Sequence, residues 1–174
     1  MKRVIIIHGW EANPNSEWLP WLKKSLEDKG IEAIVPAMPN PDFPIEKEWV
    51  ETISQIVGTP NTDTYFVGHS LGCIATVRYL LTLSDGDMLG GALFVAGFSG
   101  NISIPELEEF YSMEKDVREG RKHLLKCTMI YSDNDEDVSI EKSEEFKNHL
   151  GDTKGVLVLG KGHFSEYEGI IELP

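Results

Sequence analysis

The sequence has little that would brace it from outside or anchor it to anything. Only two of its 174 residues are cysteine, Cys73 and Cys127. They form no repeating framework and no metal-ligand spacing, so neither a disulfide scaffold nor a metal site is expected. Long hydrophobic runs are missing too. After Lys2 and Arg3 come four apolar residues, Val4 to Ile7, and then His8-Gly9. That run is too short for a signal-peptide core, and no later stretch could span a bilayer, so the expected compartment is the cytoplasm. Positive charge is scarce: 16 Lys and Arg against 29 Asp and Glu leave a formal net charge of −13. Nucleic-acid backbones and anionic membrane surfaces would repel such a chain, so neither is an expected partner, and the charge reads as a solubility feature.

What is present suffices for one domain, residues 1–174, with a packed core. Apolar residues make up 41% and charged residues 26%, the mix of an ordinary globular chain. Short β-branched runs alternate with longer helical patterns. The expected strands are Arg3–His8, Glu32–Val35, Thr64–Gly68, Ala92–Ala96, Thr128–Ser132 and Gly155–Leu159. Several are almost wholly apolar, as parallel strands covered on both faces should be. Trp18, Leu22 and Leu26 mark a helix, with Ser16 as its expected N-cap and Gly30 just past its end. Trp49, Ile53, Ile56 and Val57 trace a second apolar stripe, Ile74, Val77 and Leu81 a third, and Phe146 with Leu150 a fourth. The alternation predicts parallel pairing and a doubly wound α/β sheet. Gly97 to Leu125 breaks the rhythm and reads as a modest insert over the carboxyl edge of the sheet, with a short helix near Glu114–Arg121.

The informative motif is Gly68-His69-Ser70-Leu71-Gly72. It fits G-x-S-x-G in the setting that pattern needs, a strand before it and a helix after it. A serine hydroxyl is a weak nucleophile, so it has to stand at a sharp turn where a base can reach it. Small residues after it (Gly72, Cys73, Ala75) let the helix pack close to neighbouring strands. In such folds an acid and then a histidine follow the serine in chain order. The loop after the fifth expected strand carries Asp133, Asp135 and Asp137; the loop after the last carries Gly162-His163-Phe164. His163 is the expected base, hemmed by glycines and free to swing toward the serine. Asp135 is the preferred acid, since Asp133 could form an Asx-turn and Asp137 could cap the next helix; both stay open as alternatives. His8 is expected to shape the loop after the first strand, and His69 to point away from the site. His123 and His149 read as surface residues. Two backbone N–H groups should form the oxyanion hole, those of Leu71 and, from the loop after the first strand, Trp10.

With these residues in place, the sequence resembles the retinoblastoma-binding-protein/YdeN family of small serine hydrolases, its bacterial YdeN branch especially. The likeness runs from Val4 to about Leu173. It rests on His8-Gly9-Trp10, Trp18-Leu19-Pro20-Trp21-Leu22, Met38-Pro39-Asn40-Pro41, Trp49, His69-Ser70-Leu71-Gly72-Cys73 and Gly162-His163-Phe164. The resemblance implies an α/β-hydrolase fold: a six-stranded, mostly parallel sheet of order 2-1-3-4-5-6, with helices on both faces and only a small insert. The family's acid lies in a stretch like S-x-x-D, often followed by proline. That maps onto Ser132 to Asp135, with Glu136 where the proline would be. Some animal members bind retinoblastoma protein through L-x-C-x-E. Here the nearest stretch, Leu71-Gly72-Cys73-Ile74-Ala75, lacks the glutamate, so that partner is not expected. Members also continue past the histidine loop into a final helix, whereas this sequence stops at Pro174; a short end or an exposed flank of the sheet is expected.

The expected activity is therefore hydrolysis of small esters, thioesters or amides through Ser70, His163 and Asp135, with no cofactor and no metal. The small insert implies an open, shallow site that Trp10, Met38 and Phe98 could line. The competing expectation is a protein-binding module on the same fold with little turnover.

Overall fold

The β-branched runs do pair into one sheet. In this computed structural model, which describes residues 1–111 and 117–173, the strands are β1 (Arg3–Ile7), β2 (Glu32–Ile34), β3 (Thr64–His69), β4 (Gly91–Val95), β5 (Cys127–Ser132) and β6 (Lys154–Val158). Their order is β2-β1-β3-β4-β5-β6. All five pairings are parallel, where a mostly parallel sheet was expected. The helices are α1 (Leu19–Glu27), α2 (Glu46–Val57), α3 (Leu71–Leu80), α4 (Glu108–Tyr111), α5 (Val117–Arg121) and α6 (Ile140–Leu150). Strand alternation divides the core between the two faces. Ile5 and Ile7 of β1 join Trp49, Phe94 and Phe146 on the face covered by α2, α3 and α6. Val4 and Ile6 join Trp18, Leu19 and Phe164 on the face of α1. That second face is only partly covered. An apolar groove of about 590 Å3, with Leu22, Leu26, Val67 and Leu93 in its walls, lies open along it.

Two local expectations change. Ser16 does not cap α1: the residue at the cap position is Trp18, fully buried, and the Ser16 hydroxyl instead accepts the Asn13 N–H. Burial of the Trp18 indole outweighs the polar cap here, and Pro20 starts the helix without needing an N–H. In the insert, Val117–Arg121 is helical as expected, while 114–116 lie outside the described residues. A one-turn 3-10 helix, Pro105–Leu107, running into α4 was not foreseen; it buries Leu107 and Phe110 on the larger core. Among the described residues no helix is long and apolar enough to cross a membrane.

Candidate active site

The turn between β3 and α3 is built for close approach. A Cβ at Gly72 would collide with the Ile7 carbonyl oxygen, and one at Gly68 would lie 2.8 Å from the Cys73 nitrogen. Only hydrogen fits at either place. Ser70, between them, takes φ 51° and ψ −119°, a conformation that costs a non-glycine residue about 1–3 kcal/mol and is held by its surroundings. The Ser70 N–H donates to the Val95 carbonyl (2.9 Å) and the Ser70 carbonyl accepts the Cys73 N–H (2.9 Å). The strain is thus borne by backbone bonds on both sides of the serine.

Of the three aspartates, Asp135 meets the histidine. Its Oδ2 lies 2.8 Å from His163 Nδ1, and its Oδ1 accepts the N–H groups of Asp137 and Val138 at 3.0 and 2.8 Å. Both oxygens are engaged, so the carboxylate cannot rotate away. Asp133 takes the Gly160 N–H instead (2.7 Å). Asp137 does not cap α6, whose N-cap residue is Ser139, but stands exposed at the cleft edge. A carboxylate only accepts, so His163 Nδ1 carries the hydrogen and Nε2 keeps a lone pair when the ring is neutral. Burial opposes charge on this ring. The hydrogen bond and charge of Asp135, with Asp137 and Glu17 adding, outweigh it and raise its pKa above the ordinary 6.5.

The histidine loop is not free to swing, which corrects the expectation from its glycines. Gly162 N–H donates to Asn134 Oδ1 (2.9 Å), Lys161 N–H to Ser132 Oγ (2.9 Å) and His163 N–H to Glu168 Oε1 (2.8 Å). The other Glu168 oxygen closes a capping box with Ser165. Gly162 sits at φ 51°, and a Cβ there would strike the Glu168 carboxylate, so both the backbone and the space call for glycine. The glycine serves a tight turn over an anion. Ser165-x-x-Glu168 was readable in the sequence as an S-x-x-E capping signature; the roles of Asn134 and Glu168 toward a distant loop were not.

His69 also departs from expectation. It lies buried beside the cleft, its ring centroid 5.1 Å from that of His163. Its Nε2 lies 2.9 Å from the His163 carbonyl oxygen and its Nδ1 lies 2.7 Å from Glu17 Oε2. His8 does shape its loop. Its Nε2 accepts the Met38 N–H (3.0 Å) and its Nδ1 lies 2.8 Å from the Gly9 carbonyl, a pairing that only the neutral, Nδ1-protonated ring satisfies. Burial lowers its pKa accordingly. His123 and His149 are half-buried rather than superficial, on the Asp87 carbonyl and the Ser99 hydroxyl respectively.

Because the Gly9 carbonyl turns onto His8 and the peptide is trans, the Trp10 N–H points the opposite way. This loop runs against the nucleophile, since a Cβ on Gly9 would be 3.3 Å from Ser70 Cβ. The Leu71 N–H opens α3 and has no partner within the helix.

Ser70, His163, Trp10 and Tyr167 share one cleft of about 320 Å3. Glu11, Glu17, Asp137 and Glu166 also line it, and no Lys or Arg does among the described residues. Met38 and Phe98 are core residues instead. Asp135, Asp137 and His163 bring one donor atom each within 4.8 Å of one another, but the Asp135 oxygens and His163 Nδ1 are already bonded as above. Cys73 and Cys127 are free and buried.

The serine hydrolase family model matches residues 4–174. The chain is 37% identical over 177 residues to YdeN of Bacillus subtilis (strain 168), spanning 99% of this chain and 91% of that protein. The crystal structure of the B. subtilis ydeN gene product is similar with a TM-score of 0.94 at 35% identity, covering 100% of this chain and 94% of the other. Est1E from Butyrivibrio proteoclasticus shares the fold at a TM-score of 0.74 and 15% identity, covering 95% and 81%. Matched over nearly its whole length by sequence and by structure, this chain belongs to the serine hydrolase family.

Proposed function

We propose that this enzyme hydrolyses small esters, thioesters or amides by two-step acyl transfer, with Ser70 as nucleophile, His163 as base and Asp135 as the acid that orients it. The observation that carries this reading is the 2.8 Å contact of Asp135 with His163 Nδ1 beside a serine strained into a strand-to-helix turn on the same cleft. With Nδ1 holding a hydrogen, Nε2 is the nitrogen that takes the Ser70 proton as Oγ attacks the carbonyl. Asp135 stabilises the imidazolium that results. The N–H groups of Leu71 and Trp10 receive the oxyanion, each worth about a hundred- to a thousandfold in rate. His163 then returns the proton to the leaving group, and water, deprotonated by the same ring, frees the acyl group.

A cleft of about 320 Å3 is at the small end for ligand sites and suits short acyl groups rather than long lipids. The proposed place of action is the cytoplasm, in keeping with two free, buried cysteines. A fluorophosphonate probe tests the reading. Wild-type protein is expected to label and Ser70→Ala to remain unlabelled. If neither labels, the enzymatic reading falls and a protein-binding module on this fold takes its place.

A further inference from the structure

Outside the proposed triad, the most unusual buried polar group lies directly beneath its histidine. Glu17 follows β1 by ten residues, in a left-handed conformation at φ 57°, and its side chain is 14% exposed. Its Oε2 approaches His69 Nδ1 to 2.7 Å. The oxygen lies off the axis of the ring nitrogen, so this is a close carboxylate–imidazole approach rather than a straight hydrogen bond. Neither atom has a hydrogen-bond partner elsewhere among the described residues. On the far side of the ring, Nε2 is 2.9 Å from the His163 carbonyl oxygen. A carbonyl only accepts, so Nε2 donates. The Glu17 carboxylate thus stands against one edge of a buried ring whose opposite edge holds the His163 carbonyl.

The neighbouring residue repeats the device. Trp18 Nε1 donates to the Phe164 carbonyl at 3.1 Å, and the Trp18 ring stands edge-on to His69 at 5.5 Å. Two ring N–H groups thus hold successive carbonyls, 163 and 164, of the loop that presents the base. Phe164 itself is at φ 56°, a conformation that such clamping can maintain.

We propose that Glu17 and His69 are positioning residues: a buried carboxylate–imidazole pair that grips the His163 backbone and keeps its ring in reach of Ser70. The proposal rests on the hydrolase reading above and assigns to that site a second carboxylate–imidazole pair whose target is a carbonyl rather than a hydroxyl. The grip acts on the backbone, while Asp135 acts on the ring, so the two control different degrees of freedom of one residue. Charged and titratable groups facing the His163 ring are Asp135, Asp137, Glu17 and His69. The Glu17 charge therefore also favours the imidazolium that acylation creates.

The test uses Glu17→Gln, which keeps the shape and can donate to Nδ1 but drops the charge, and His69→Gln, which removes the ring. Thermal unfolding reports the folded fraction. In folded protein, kcat on a p-nitrophenyl ester and the fluorophosphonate labelling rate are expected to fall about tenfold to a hundredfold, with KM within about twofold. The acid limb of the Glu17→Gln labelling profile is expected to move to lower pH. A plateau rate within about twofold of wild type in both folded variants overturns the positioning role. So does a loss that only tracks the unfolded fraction with no movement of the limb. If wild type itself fails to label, the hydrolase reading falls and takes this proposal with it. If wild type labels and the variants match it, only this proposal falls.

Discussion

The Asp135 carboxylate accepts three hydrogen bonds, one from an imidazole and two from its own loop. This predicts a severe effect from a small change. Asp135→Asn keeps the volume but gives His163 Nδ1 an amide that favours the wrong tautomer, and kcat on a nitrophenyl ester is expected to drop about 10^4-fold, with little change in the thermal unfolding midpoint. The acid limb of activity follows from the same residues. Burial works against charge on His163, yet Asp135, Asp137 and Glu17 raise its pKa above 6.5. Below that raised value the ring is already protonated and cannot take the Ser70 hydrogen. Labelling plotted against pH should therefore fall on the acid side with a midpoint above 6.5; a rate that stays flat down to pH 6 contradicts the assigned base. In stability the shift has its own sign. The folded state holds this proton more tightly than the unfolded chain, so the gain is full below 6.5 and is lost as pH rises through the raised value. His8 acts oppositely: its lowered pKa costs stability as pH falls below 6.5.

Among the elements, α3 and β1 set the tightest tolerance. The α3 backbone at Gly72 lies directly against the carbonyls of Ile7 and His8. Neither partner is a flexible side chain that could move aside. Gly72→Ala is expected to destabilise the fold by about 3 kcal/mol, measured as a lower urea midpoint, and to displace Ser70 with it. The sequence made this legible through its run of small residues after the serine. The insert was less legible. Its 3-10 turn and α4 bury Leu107 and Phe110 three residues apart, a spacing too short to stand out against the surrounding acidic residues. The cap of α1 was misplaced for a different reason. Ser16 has the local chemistry of a cap, but the Trp18 indole is buried against the second core and donates to Phe164, 146 residues away.

Over the whole molecule, the net charge of −13 and the cleft's four carboxylates have the same sign. The field at the serine should discriminate against anionic substrates. A nitrophenyl ester bearing a carboxylate is expected to show kcat/KM at least about threefold below that of its neutral isostere at low ionic strength, and 0.5 M salt should narrow the gap, because screening acts within a few ångströms at that concentration. Equal rates for both esters, independent of salt, would remove charge from the specificity of this site.

The amino-acid order alone determined the alternation of strands and helices, the serine at the strand-to-helix turn, and the chain order of serine, acid and histidine. These are matters of periodicity, turn chemistry and sequence spacing, which act over a few residues and so can be read from them. Tertiary structure decided which of three aspartates meets His163, that the histidine loop is clamped rather than free, and that His69 and Glu17 lie beneath it. Each depends on contacts between segments roughly thirty to one hundred residues apart. No local preference encodes such a meeting; it appears only once the sheet has brought the loops at its carboxyl edge together.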